Sequence, residues 1–278
     1  AAAIRDSEIH GKGFFTDVSK DNLPYSYNTQ RFYGMDLGDI DGDGDQDMVI
    51  GGQYYEVADI LVHGGDPFNN GGAYYFVKSN YLTLVQDYRV RTCFVLADLN
   101  NDKHTDLYLG KAGGQNILYH NTGIGIMKDV SNSHLPSVSD DTTRVLAADV
   151  DKDGDVDLFV INNGVNRLQI SELDYKLADV TSSHLPGGMT ANSRDGALVD
   201  LDGDGLLDLV TATFESRNQL LLGEGDAHFK NLTASMPEDD DPNRRVVVGD
   251  FDGDGRMDLF FVGRDVNRIY LNRTPKAK

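Results

Sequence analysis

The strongest constraint on this chain is a nine-residue acidic loop written five times. The first copy, Asp39-Ile40-Asp41-Gly42-Asp43-Gly44-Asp45-Gln46-Asp47, places carboxylates at every second position with glycines between them. It returns at Asp98 to Asp106, Asp149 to Asp157, Asp200 to Asp208 and Asp250 to Asp258, with starts 59, 51, 51 and 50 residues apart. On a tight loop, side chains at the first, third, fifth and ninth positions and a carbonyl at the seventh can converge on one hard cation. Glycine supplies the positive φ that such a turn needs. One acidic loop alone reads as well as a solvated turn. Five copies at a near-constant period, each keeping the ninth Asp, point instead to a metal-binding repeat.

The candidate ligands are therefore Asp39, Asp41, Asp43, Asp45 and Asp47; Asp98, Asn100, Asp102, His104 and Asp106; Asp149, Asp151, Asp153, Asp155 and Asp157; Asp200, Asp202, Asp204, Leu206 and Asp208; and Asp250, Asp252, Asp254, Arg256 and Asp258. The seventh residue of each set offers its carbonyl. Calcium suits these donors because it accepts six to eight oxygens in flexible geometry, whereas magnesium keeps waters and demands an octahedron. About five Ca²⁺ are expected. The second loop should hold its ion most weakly, since Asn100 replaces an Asp and Asn101 and Lys103 replace both glycines. A lysine at a position that favours positive φ costs energy.

Short apolar runs flank each loop, as in Arg245-Val246-Val247-Val248 and Leu259-Phe260-Phe261-Val262 around the fifth. Runs this short, bounded by Gly and Asp, fit strands buried on both faces. A third run follows a Gly/Asn turn, and a fourth ends in Asp-Val-Ser/Thr. Four strands in about fifty residues make one propeller blade, with the acidic loop joining strands one and two. After Leu271 too little chain remains for a fourth strand, but Gly13-Phe14-Phe15-Thr16-Asp17-Val18-Ser19 carries the fourth-strand pattern. The expected fold is all-β: a five-bladed β-propeller of four-stranded blades, its last blade closed by the N-terminal strand 13–19. Residues 1–278 form one domain, with repeats near 31–78, 89–130, 143–180, 194–232 and 244–271. The connectors Asp129 to Pro136 and Asp179 to Pro186 are near copies, so His134 and His184 are read as structural.

Forty-five acidic against 25 basic residues give a net charge of −20, which argues against nucleic acid and anionic membranes as partners. Five divalent cations would offset half of it. No apolar run is long enough to insert into a membrane. The single Cys93 leaves the fold without disulfides. Calcium sites of an extracellular kind, with Asn-x-Thr sequons at Asn231 and Asn272, favour a secreted or cell-surface protein.

The Asp-x-Asp-Gly-Asp-Gly-x-x-Asp loop, set between a strand ending Gly/Ala-Asp and one beginning Asp-Leu, resembles the FG-GAP/VCBS repeats of integrin-α-like β-propellers. Fungal propeller lectins carry similar repeats, and the Phe-x-Asp-Val-Ser/Thr…Leu-Pro connector is most like the cartilage-acidic-protein type. The resemblance covers essentially the whole chain. It implies a calcium-binding propeller and places the side-chain ligands on the first, third, fifth and ninth loop residues. It specifies no activity.

Most patterned aspartates are committed to metal, and no nucleophile elbow, His-Glu-x-x-His or phosphate loop is present. An enzyme acting on glycans, a polysaccharide lyase or glycosidase, would need unpatterned groups such as Glu56, Glu215 or His63. It ranks below an extracellular binding module, carbohydrate-binding or adhesive, with Tyr54, Tyr55, Arg217 and Arg264 as candidate ligand contacts on loops opposite the metal face. The alternative is a matrix or filament scaffold making protein contacts, for which the first repeat, holding nine of thirteen tyrosines by residue 88, would be the interface. The partner is thus a glycan or an extracellular protein. Arg31, Arg91, Arg144, Arg194 and Arg245 each open the run into an acidic loop. Their unequal offsets favour separate salt links over a ring around the channel.

Overall fold

A computed structural model describes residues 32–52, 59–64, 75–78, 90–123, 126–187, 190–214, 216–238 and 241–274. The expected closing strand 13–19, Arg31, Tyr54, Tyr55, Glu56 and Glu215 lie outside them. The described chain is all-β and built from five antiparallel meanders. These are β1 (Phe32–Gly38), β2 (Asp47–Gly52), β3 (Asp59–Gly64) and β4 (Tyr75–Lys78); β5 (Val90–Ala97), β6 (Asp106–Lys111), β7 (Ile117–Asn121) and β8 (Met127–Asp129); β9 (Thr142–Ala148), β10 (Asp157–Val165), β11 (Arg167–Glu172) and β12 (Lys176–Asp179); β13 (Thr190–Val199), β14 (Asp208–Thr213), β15 (Gln219–Gly225) and β16 (His228–Asn231); and β17 (Asn243–Gly249), β18 (Asp258–Gly263) and β19 (Arg268–Tyr270). In each, the acidic loop joins the first strand to the second, and the ninth Asp is the first residue of the second strand.

The second strands are apolar without alternation because both of their faces are buried. Leu107 and Leu109 of β6 pack toward the first sheet with Val49 and Phe94, while Tyr108 between them packs toward the third. In β10 the division repeats: Leu158 and Val160 face the second sheet, Phe159 and Ile161 the fourth. Leu209 of β14 joins Phe159 and Phe229, whereas Val210 and Ala212 meet Val246 and Phe261 of the last sheet. The period of two thus distributes each strand between two cores, and every core lies between consecutive sheets. First strands follow one another in the same order, β1 against β5, β5 against β9, β9 against β13 and β13 against β17. The third and fourth sheets are also hydrogen-bonded, through Asn163↔Asn192 and Val165↔Thr190. Cys93 is buried in the second core, and burial pushes its thiol up to about 12, so it is an unreactive packing residue.

The Asp-Val-Ser/Thr echo has a structural cause. After β8, Ser131–His134 forms one helical turn, α1, and after β12, Thr181–His184 forms its counterpart α2. The Asp129 carboxylate accepts the Ser131 N–H (2.9 Å), and Asp179 likewise accepts that of Thr181 (3.0 Å). The hydroxyls then take a strand-three amide beyond the last rung: Leu118 N–H to Ser131 Oγ (2.9 Å), Leu168 to Thr181 Oγ1 (3.0 Å) and Leu220 to Thr233 Oγ1 (3.1 Å). Each motif therefore ends one sheet and starts the turn to the next.

Among the described residues β18 is the strand partner of β19, and Ile269 at the centre of β19 is 55% exposed. Thr181→Val keeps the shape of the side chain but orphans the Leu168 N–H. It should lower stability by about 1–2 kcal/mol, read as a shift in the urea midpoint at unchanged slope.

Candidate metal centres

The acidic loops fold around their own carboxylates. In the first, Asp39 accepts the N–H groups of Gly42 (2.8 Å) and Gly44 (3.0 Å), Asp41 that of Asp43 (3.2 Å), and Asp43 that of Asp45 (2.9 Å). The fourth loop repeats this with Asp200 on Gly203 and Gly205, and the fifth with Asp250 on Gly253 and Gly255. Loop positions four and six take positive φ in every copy. Glycine fills them in the first, fourth and fifth, but Asn101 (56°), Lys103 (71°) and Lys152 (66°) adopt the same conformation without it. The strain expected of the second loop is therefore present, and Lys152 extends it to the third.

The ninth Asp is the most constrained residue of each loop, no more than 1% exposed in all five. One of its oxygens accepts the N–H of loop position two: Ile40 (2.8 Å), Leu99 (3.0 Å), Val150 (2.9 Å), Leu201 (2.8 Å) and Phe251 (2.9 Å). In the last four repeats the other oxygen accepts an N–H near the end of strand three: Asn121, Ser171, Gly223 and Asn272, at 2.7–2.9 Å. Burial raises Asp106 to about 7 and Asp157 and Asp208 to about 6, against the opposing pull of these amides and with help from neighbouring aspartates. Asp258 moves the other way, because the Asn272 amide outweighs burial in the outermost described sheet.

Three carboxylates approach closely enough to share one ion in four loops: Asp39, Asp41 and Asp43; Asp149, Asp151 and Asp157; Asp200, Asp202 and Asp208; and Asp250, Asp252 and Asp254. The donors are all oxygens, which fits a hard divalent cation. No such triplet forms in the second loop among the described residues, where position three is Asn100. The loops also touch one another, as the Asn101 side chain donates to Asp155 of the third loop. The sequence offered Arg256 only as a carbonyl donor. Its guanidinium in fact bonds Asp254 and the Asn272 carbonyl (2.9 Å), while Arg273 reaches Asp252 (3.0 Å). Two guanidiniums thus compete for the fifth loop's carboxylates.

Sequence reasoning missed the carboxamides that tie loops to neighbouring sheets. Asn121 Nδ2 donates to the Ile40 carbonyl of the first loop (2.7 Å), and Asn272 Nδ2 to that of Leu201 in the fourth (2.6 Å). The two positions are equivalent, lying fifteen and fourteen residues after Asp106 and Asp258. The sequon nitrogen at Asn272 is therefore engaged within the fold.

On the opposite face the candidate contacts separate. Arg217 is half-buried and donates to the Met236 carbonyl, which fixes it to the connector. Arg264 is exposed beside Asp265. The arginines that open first strands share no single environment. Arg144 lies 3.7 Å from the buried Asp195, beside a cavity of about 370 Å³ between the first strands, and Arg245 also bears on Asp195. Arg194 instead lies over the Phe214 ring.

Stacked all-β sheets with an oxygen-lined acidic loop at each first turn define a repeat protein with metal-capable loops on one face. The chain belongs to the FG-GAP-like repeat family, which matches residues 98–160, 149–211 and 200–261. It is 30% identical over 126 residues to cartilage acidic protein 1 of Xenopus tropicalis, a match covering 41% of this chain and 19% of the relative. The matched part thus spans about a fifth of that relative's length. Among solved structures it is similar in fold to a lectin from Agrocybe aegerita, described as specifically recognising non-reducing terminal N-acetylglucosamine. The TM-score is 0.52 at 18% identity, covering 88% of this chain and 64% of the lectin. No helix among the described residues is long and apolar enough to cross a membrane.

The raised carboxylates make a pH prediction for the metal-free chain. Unfolded, these groups lose their protons near 3.8; folded, Asp106, Asp157 and Asp208 hold them to about 6–7. The folded state binds more protons in that window, so the stability they confer is present below about pH 4 and lost as pH rises through 6–7. Chelator-treated protein should melt at a lower temperature at pH 8 than at pH 5. Added divalent cation should narrow the gap, with proton release detectable by calorimetry in buffers of different ionisation enthalpy.

Proposed function

We propose that this protein is a secreted, calcium-stabilised five-bladed β-propeller that serves as a carbohydrate-binding or adhesive module and is not an enzyme. The observation that carries the reading is the ninth Asp, buried and bonded alike in all five loops, which makes each acidic loop a fixed element of the blade. Calcium would be held by the first, third, fifth and ninth side chains of each loop and the seventh carbonyl. It would supply the positive charge that gathered carboxylates lack, since two carboxylates ~4 Å apart repel by roughly 4 kcal/mol at an effective dielectric near 20. Residues 1–278 would form one domain, with strand 13–19 pairing to β19 and closing the ring. The 55% exposure of Ile269 at the centre of β19 supports that closure.

With the loops committed to structure, binding is assigned to the opposite face, where loops between second and third strands differ from blade to blade. The fold shared with a lectin supports a glycan as ligand. Tyr54, Tyr55, Arg217 and Arg264 remain the proposed contacts, Arg264 being the most open of the described pair.

A melting series with calcium, with chelator and with a glycan panel tests both parts. Calcium should raise the melting temperature by several degrees, and chelator should reverse it. A melting temperature indifferent to chelator would remove the calcium reading, and a panel with no binder would remove the lectin reading. Asn100→Asp should add affinity at the second loop, seen as a further tight site in calcium titration.

A further inference from the structure

The arginines of this acidic chain are mostly neutralised internally. Arg144, Arg167, Arg256, Arg264, Arg268 and Arg273 each lie within ion-pair distance of a carboxylate. Arg194 and Arg244 do not: among the described residues their contact is with one aromatic ring. The Arg194 Cζ lies 5.2 Å and the Arg244 Cζ 5.9 Å from the centroid of Phe214. They come from consecutive sheets, and both occupy the same place in the fold. The β13–β14 register skips between Ser193 and Asp195, and the β17–β18 register between Asn243 and Arg245, leaving Arg194 and Arg244 as the extra residues. The shift belongs to the repeat, since Thr143 is skipped in the same way between β9 and β10, so what distinguishes these two sheets is that the re-aimed extra residue is an arginine. The flanking Ser193 and Asn243 are fully buried, which fixes both bulges. The Phe214 N–H donates to the Asn192 carbonyl (2.9 Å), which holds the ring's loop against β13.

Among the described residues these two like charges share one ring with no carboxylate at ion-pair distance, in a protein with 45 acidic residues and 25 basic ones. Cation–π contact holds each guanidinium without consuming its N–H donors. Those donors form a planar fork that matches a carboxylate bidentately. Arg194 is half-buried and Arg244 exposed, so the pair is reachable from solvent. The site lies at the start of the first strands, six residues from Asp200 and from Asp250, or roughly 20 Å along an extended strand. It is thus separate from the acidic loops.

We propose that Arg194, Arg244 and Phe214 form a subsite for the carboxylate of a single acidic sugar at a glycan chain end. The net charge of −20 would repel a polymer of repeating acids but tolerate one carboxylate at a local cationic pair. The proposal rests on the binding-module reading and names its ligand class.

Calorimetry on the calcium-loaded full chain tests it with a glucuronate-terminated disaccharide and its neutral glucose-terminated counterpart. The acidic sugar should bind at least tenfold more tightly, with an affinity that falls as salt rises. Arg194→Gln and Arg244→Gln should each reduce that preference, and the double variant should abolish it, with the calcium-dependent melting temperature unchanged. Equal affinity for the two sugars, no binding of either, or a preference that survives in the double variant would overturn the subsite. The wider glycan panel decides the module reading separately, since a neutral binder found there leaves that reading standing when this one falls.

Discussion

Each repeat depends on one buried carboxylate, the ninth residue of its acidic loop. In a sheet buried on both faces, a loop amide and a strand-end amide that lose water must find acceptors or cost about 1–3 kcal/mol each. The ninth Asp answers both in the last four repeats, joining loop position two to strand three across the start of strand two. An asparagine there could accept at only one of its two terminal atoms. This explains an invariant aspartate at the first residue of every second strand, a place where burial alone would favour an apolar side chain.

The same placement sets up the electrostatics. Burial that makes the ninth Asp a good acceptor also makes its charge expensive, and the other carboxylates of the loop add to the cost. The raised positions of Asp106, Asp157 and Asp208 express that conflict. A proton or a divalent cation relieves it. Loop five shows a third solution, in which Arg256 and Arg273 bring guanidiniums to Asp252 and Asp254.

Much of this was legible in the sequence because it is periodic. Five copies of one loop fixed where first strands end and second strands begin, and the Asp-Val-Ser/Thr echo marked the ends of fourth strands to within a residue or two. The meaning of the echo was less visible: the hydroxyl completes a neighbouring ladder, a contact thirteen residues away in sequence. Asn121 and Asn272 were hidden for a related reason, since their partners lie 81 and 71 residues away and their spacing from the loops differs by one. Arg244 was hidden because its neighbour Arg245 stood out as the residue opening the fifth run, and the pairing of Arg194 with Arg244 became visible only once the fold placed Phe214 between them.

The division of second strands between two cores has a further consequence. Among the described residues, all four buried clusters span two consecutive sheets, and none belongs to a single repeat. Stability in such a molecule comes in units of interfaces rather than of repeats. A repeat cut from the array keeps its hydrogen-bonded ladder but loses the partner face that made its apolar strand soluble. Length can then change only by whole sheets with their seams, and an error in one sheet is felt first by its two neighbours.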